Sequence, residues 1–401
     1  MVVKKIALKE LKQDQQAHSL TYTCREFTEP VPRYELPAES MPASVAYRIC
    51  RDELNLDGNP SLNLASFVTT WMEPEAEKLI FETLNKNLVD HDEYPQTQEI
   101  QKRCINMLAR LFNASESDST VGTATVGSSE AVMLAALSHK WRWRERRRSQ
   151  GKPADRPNIV MGGDIQVVWE KYARYFDVEP RVLPMQPGQY ILCAEEVASA
   201  CDENTTAVVA VLGTTFTGQL DPIEEIDARL RKLKQQSALD IPLHVDAASG
   251  GFIIPFTNPH IAWDFALEQV QSINVSGHKY GLVYPGIGWA LWKDHSLLPA
   301  DLVFKVNYLG GEMPTFNLNF SRGASHIIAQ YYNFLRLGRA GYRRVAAALV
   351  KTATYLAGQL KRSGYFDILS SDSSMPVVVV ALKGQPGFSV FNLSERLRSR
   401  G

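Results

Sequence analysis

Apolar residues recur three and four positions apart over residues 74–89, 96–112 and 128–148, which predicts three helices. The third opens on Ser128-Ser129-Glu130 and stops at Gly151, a start and a stop signal of the kind helices use. Short β-rich runs follow at 158–161, 207–212, 243–245, 272–275 and 288–292, and 221–235 and 261–268 read as helices between some of them. Strands alternating with helices predict an α/β fold around a mostly parallel sheet covered on both faces. Beyond Ser325 two long helical stretches run to about Gly364, followed by a strand at 375–382 and the start of an amphipathic helix at 390–400.

The pattern divides the chain into three. Residues 1–60 are polar and proline-punctuated, with one short helix around 42–53, and read as an arm packed on a partner. Residues 61–340 form the large domain. Residues 341–401 supply one strand and one helix after the long helices, too little to close a sheet domain, so the small domain reads as incomplete.

Composition narrows the class. The chain has 401 residues, 45% hydrophobic and 22% charged, with a formal net charge of −1, so no global field argues for nucleic acid or a membrane surface. No apolar window is long enough to span a bilayer, and the N-terminus lacks the apolar core of a signal peptide. Cys24, Cys50, Cys104, Cys193 and Cys201 form no CxxC pair and no His/Cys metal spacing. The expectation is a cytoplasmic protein with reduced thiols and no metal. The basic run from Lys140 to Arg148 reads as a solvated helix end, where cations suit the dipole.

Three elements carry chemistry. In Ser272-Ile273-Asn274-Val275-Ser276-Gly277-His278-Lys279 a β-rich run delivers a lysine into apolar surroundings, where desolvation frees its amine to form a Schiff base with an aldehyde cofactor. In Leu243-His244-Val245-Asp246 a carboxylate ends a buried strand; an unpaired charge there is costly, and a protonated pyridine nitrogen would pair with it. Gly127-Ser128-Ser129-Glu130 opens a helix, where N–H groups and two hydroxyls suit a phosphate. Singly, each has an ordinary reading: a solvated turn lysine, an N-cap aspartate, a serine cap. Together, in this order, they match a fold of the pyridoxal 5′-phosphate (PLP)-dependent type I class. His244, Trp71 and Trp169 read as core residues.

The chain then resembles the group II PLP-dependent decarboxylases, most closely the glutamate decarboxylases of bacteria and plants, from about Leu62 onward. The resemblance is carried by Asn85-Lys86-Asn87-Leu88-Val89-Asp90-His91-Asp92-Glu93-Tyr94-Pro95, Gly127-Ser128-Ser129-Glu130-Ala131 and His244-Val245-Asp246-Ala247-Ala248-Ser249. Gly277-His278-Lys279, Tyr308-Leu309-Gly310-Gly311 and Asn319-Phe320-Ser321-Arg322 also match. It implies a seven-stranded-type sheet and decarboxylation of L-glutamate to 4-aminobutyrate. Lys279 would hold PLP and Asp246 would face its ring nitrogen. Ser128, Ser129, Ser276 and His278 would bind the phosphate, joined by Ser321 from a second subunit. Gln166 would lie over the ring, and Thr215 would bond the cofactor or orient Asp246. Ser66, Phe67, Asn87 and Asp90 would contact substrate, and Lys279 or Tyr308 would donate the proton.

The resemblance further implies a homodimer at least, up to a hexamer. It implies a C-terminal segment beyond Gly401 that would complete the small domain and bring an arginine for the α-carboxylate, and it leaves no calmodulin-binding tail here. Ser66 stands where bacterial relatives often carry Thr, and Glu170 where some carry His. Competing expectations are another amino-acid decarboxylase, an aminotransferase or desulfurase, and an inactive PLP-binding relative.

Overall fold

The computed structural model describes residues 34–64, 67–114, 120–186, 188–306, 313–370 and 374–400. The chain divides into two compact units, Met1–Leu64 with Glu395–Gly401, and Ala65–Ser394. In the first, helix α1 (Ala43–Leu54) starts after Pro42. The second holds the sheet. Helices α2 (Pro74–Thr83) and α3 (Pro95–Leu111) both begin on proline, whose missing N–H costs nothing at a helix start.

Strand β1 (Val121–Thr125) leads into helix α4 (Ser128–Ser149). There follow β2 (Asn158–Gly162), α5 (Val167–Tyr175), β3 (Glu179–Leu183), α6 (Ala194–Ala200), β4 (Thr205–Val211), α7 (Ile223–Ser237) and β5 (Leu243–Asp246). A short helix α8 (Ile254–Thr257) precedes β6 (Val270–Ser276) and β7 (Gly288–Trp292). These strands make one seven-stranded sheet in the order β1-β7-β6-β5-β4-β2-β3. Strands β3, β2, β4, β5 and β6 run parallel; β7 is antiparallel to both β6 and β1.

Alternation along the strands explains why both faces are covered. On β4, Val208 and Ala210 enter a core shared with Leu108, Ile226 and Ile327, while Val209 and Val211 enter another with Val132, Ile159, Trp169 and Tyr172. Leu243 and Val245 of β5 and Ile273 and Val275 of β6 join the first core. The polar partners between them, His244, Asp246, Ser272, Asn274 and Ser276, therefore project to the other face, and all five are buried.

The remaining elements are the pair β8 (Phe304–Val306) and β9 (Met313–Thr315), then α9 (Ser325–Arg362), the pair β10 (Phe366–Ile368) and β11 (Val380–Leu382), and α10 (Val390–Arg398). Gly338, at φ 54° and ψ −173°, breaks α9 into the two stretches expected from sequence.

Several expectations are corrected. Residues 261–268 are turns, not a helix: Trp263 packs edge-on against Phe112 at 5.1 Å, and Asp264 accepts from Ala266 N–H at 3.1 Å. Their apolar spacing reflects a loop anchored in the core. The strand expected at 375–382 is confined to Val380–Leu382, with Met375 buried. The first helix ends at Thr83, short of Val89. Strands β1 and β3 and helices α5 and α6 have no counterpart among the expected elements. β3 is an edge strand with no buried residue, so it needs no apolar run.

Candidate active site

The carboxyl ends of β2, β4, β5 and β6 and the start of α4 converge on one cavity of about 250 Å³. Ligands in open parallel sheets bind at this edge. Its wall includes Ser128, Ser129, Gln166, Thr215, Asp246, Ser276, His278 and Lys279, eight of the residues expected from sequence.

Backbone geometry builds the α4 end. Gly127 sits at φ 134°, a conformation that L side chains rarely adopt, and turns β1 into the helix. Ser128 does not cap the helix; its Oγ lies 2.7 Å from Ser276 Oγ, and the cap position is Gly127. The N–H groups of the first turn have no intrahelical acceptor and face an anion favourably. Glu130 turns away, accepting from Val126 N–H at 2.7 Å and Leu318 N–H at 3.0 Å, which clamps the strand exit to residues 317–319. His278 donates from Nδ1 to the Ile287 carbonyl at 2.7 Å. Burial depresses the basicity of this ring, against the pull of that carbonyl.

At the opposite end Asp246 is held by three donors. Trp169 Nε1–H reaches Oδ2 at 2.9 Å; Asn274 Nδ2–H and Ala248 N–H reach Oδ1 at 2.9 and 3.2 Å. It is not the N-cap of a helix. Thr215 makes no bond to it among the described residues and lies exposed at the cavity wall. Trp169, read from sequence as core, is fully buried and also bonded to the site; nothing in the sequence marked that bond.

Lys279 lies between these ends. Its Nζ donates to Ser249 Oγ at 3.2 Å and stands 5.4 Å from the centre of the Phe67 ring. Thr69 pins the backbone beneath it, donating from N–H to the His278 carbonyl and from Oγ1 to the Lys279 carbonyl, each at 2.8 Å. Burial lowers the amine's pKa from the usual lysine range, opposed by the charge of Asp246.

One further wall residue went unanticipated. Asp164 is buried and neither carboxyl oxygen has a hydrogen-bond partner. Burial, added to by the negative charge of Asp246, raises its pKa to about 6.

Asn87 and Ser321 do not line this cavity; they bond one another, Nδ2 to Oγ, at 3.3 Å. Asp90 accepts from Glu93 N–H at 3.1 Å in a turn. Ser66 and Tyr308 lie outside the described residues. Among the described residues no group of His, Cys, Asp and Glu side chains is arranged to hold a metal.

The arrangement fits PLP. Hydroxyls and free N–H groups at one end suit a phosphate, a donor-held carboxylate at the other suits a protonated ring nitrogen, and an amine lies between for the aldehyde. The orphaned oxygens of Asp164 show that a polar group is wanted in this wall.

Comparison with known proteins agrees. A family model, the pyridoxal-dependent decarboxylase conserved domain, matches residues 37–383. The glutamate decarboxylase of Solanum lycopersicum is 49% identical over 393 residues, covering 98% of this chain and 78% of that protein. That of Aliivibrio fischeri is 48% identical over 383 residues, covering 95% and 82%. The solved glutamate decarboxylase of Lactobacillus brevis superposes with a TM-score of 0.91 at 43% identity, covering 94% of this chain and 87% of that one.

Proposed function

Because this chain belongs to the pyridoxal-dependent decarboxylase family, we infer that it uses PLP to convert L-glutamate to 4-aminobutyrate and CO2. The observation that carries the reading is the convergence of Lys279, Asp246 and the α4 N-terminus on one cavity. When bound there, PLP supplies an electron sink for the pair released as the bond between Cα and the α-carboxylate breaks.

The chain's own residues do the rest. Ser128, Ser129, Ser276, His278 and the first turn of α4 hold the phosphate. Asp246, fixed by Trp169, Asn274 and Ala248, faces the ring nitrogen and keeps its proton in place. Lys279 Nζ, partly desolvated and oriented by Ser249, is a neutral nucleophile over a wider pH range than a surface lysine. Gln166 is anchored through Oε1, which accepts from Val168 N–H at 2.7 Å, leaving its amide nitrogen free for the ring face. Thr215 serves the cofactor rather than Asp246. Lys279 Nζ or the Tyr308 hydroxyl returns a proton to Cα of the product, so one proton is consumed per CO2 released.

Substrate selection is assigned to Ser66, Phe67, Asn87 and Asp90. The Asn87–Ser321 bond ties one of these to a residue that, by this reading, reaches a second subunit's phosphate site, so the working form is a homodimer or a higher multiple. We assign the arm to 1–60, the large domain to 61–340 and the small domain to 341–401. The cellular site proposed is the cytoplasm; no helix among the described residues is long and apolar enough to cross a membrane.

The test is to incubate the PLP-loaded protein with L-glutamate, L-aspartate or an aromatic amino acid and separate the amine products. 4-Aminobutyrate from glutamate alone, lost in Lys279→Ala, is expected. Product from another substrate at a higher rate would overturn the assignment.

A further inference from the structure

Behind Asp246 a line of buried polar groups crosses the sheet toward α4. Asn274 Nδ2–H donates to Asp246 Oδ1 at 2.9 Å, and Asn274 Oδ1 lies 2.8 Å from His244 Nε2. His244 Nδ1 lies 2.7 Å from Ser272 Oγ, which lies 2.7 Å from His139 Nε2. The register explains the spacing: His244 is opposite Ser272 and Asp246 opposite Asn274 on adjacent strands, so the four alternate across β5 and β6 on one face.

The direction of every proton in this line can be deduced. A carboxylate only accepts, so the Asn274 amide must turn its nitrogen to Asp246 and its oxygen to His244. That oxygen requires a hydrogen on His244 Nε2. Burial keeps His244 and His139 from being protonated, so each ring carries a single N–H. His244 Nδ1 is then an acceptor, and Ser272 must point its hydroxyl hydrogen at it. The hydroxyl oxygen in turn accepts from His139 Nε2–H. His139 Nδ1 is left a bare acceptor, and it is indeed buried without a partner. Each link points its donor toward Asp246, so their dipoles add with one sign.

We propose that His139 and Ser272 are positioning residues of the cofactor site: acting through His244 and Asn274, they hold Asp246 as the acceptor for the protonated ring nitrogen. This rests on the reading that PLP binds with its nitrogen at Asp246. A histidine on α4 and a serine inside β6, neither of which touches the cavity, thereby tune the electron sink. Trp169 is a separate branch: it donates directly to Asp246 and packs edge-on to His244 at 5.2 Å.

The test uses the PLP-loaded protein without substrate. Its readouts are the dissociation constant of PLP and the ¹⁵N shift of PLP labelled at the ring nitrogen. His139→Leu removes the donor; His139→Gln places an amide N–H where Nε2–H stood. His139→Leu is expected to loosen PLP by roughly three- to tenfold, the scale of weakening one buried hydrogen bond to a charge. Its ¹⁵N shift should move toward the unprotonated value, and His139→Gln should restore both. Ser272→Ala interrupts the line at a second point and should move the shift the same way, which covers the case of an unfolded His139→Leu. If the folded variants keep the wild-type shift and affinity within twofold, the line is only structural and the proposal fails. A wild-type protein that binds PLP with an unprotonated nitrogen, or not at all, would instead overturn the cofactor reading beneath it.

Discussion

Asp246 and Lys279 sit 33 positions apart in sequence, and each is held by bonds that its own motif does not disclose. For Asp246 these are the Trp169 indole and the Asn274 amide; for Lys279, the Ser249 hydroxyl and the Thr69 clamp beneath its backbone. Asp246→Asn puts a neutral amide opposite the ring nitrogen. We expect kcat to fall at least about 100-fold, as for loss of a preorganised charge, with the fold intact by circular dichroism. Trp169→Phe keeps the packing on His244 but drops one N–H, and kcat should fall about tenfold. That the lysine, the aspartate and the serines meet at one cavity was foreshadowed by their order in the chain, since each alone has an ordinary reading. Trp169 was not, because a buried indole looks like any core residue until its partner is placed. Ser272, Asn274 and Ser276 alternate with Ile273 and Val275 along β6, a polar file that marks one face of a buried strand.

Two elements meet backbone to backbone where β7 passes the start of α4. A Cβ on Gly288 would lie 2.5 Å from the Gly127 carbonyl carbon and 2.7 Å from Ser128 N, both backbone atoms that cannot swing aside. Gly288→Ala should therefore lower the melting temperature and, by displacing the phosphate end of the cavity, weaken PLP binding more than a remote core substitution of equal thermal cost. Calorimetry and a PLP titration read the two effects. The same crowding explains why β1 was invisible in sequence: Gly122, where a Cβ would meet the Ala290 carbonyl at 2.9 Å, admits no side chain, and the strand reads Val-Gly-Thr-Ala-Thr. Central strands β4 and β5 were legible because both their faces are buried. The helix expected at 261–268 failed because a loop inserted into the core can mimic helical spacing.

For the molecule as a whole, carboxyls are buried both in the cavity wall, at Asp164, and away from it, at Asp221. Burial and the nearby Asp164 raise the pKa of Asp221 to about 8, as Asp246 and burial raise that of Asp164 to about 6. A carboxyl that holds its proton more tightly when folded costs nothing below its unfolded value of about 4; the cost grows as pH rises from there to the folded pKa and is constant above it. The PLP-free Asp164→Asn protein should thus melt higher than wild type above pH 6, with the gap closing toward pH 4; a gap constant with pH would contradict this. The α/β class and a mostly parallel sheet follow from patterning, but the strand order and the two missed strands β1 and β3 come only with the structure, and the decarboxylase family comes from the match over residues 37–383. Above all, Lys279 is the residue proposed to carry the cofactor. Reduction of the PLP-loaded protein with borohydride, followed by peptide mass spectrometry, tests it most directly. The phosphopyridoxyl mass is expected on Lys279 with complete loss of activity; the mass on another lysine, with Lys279 unmodified, would overturn the assignment.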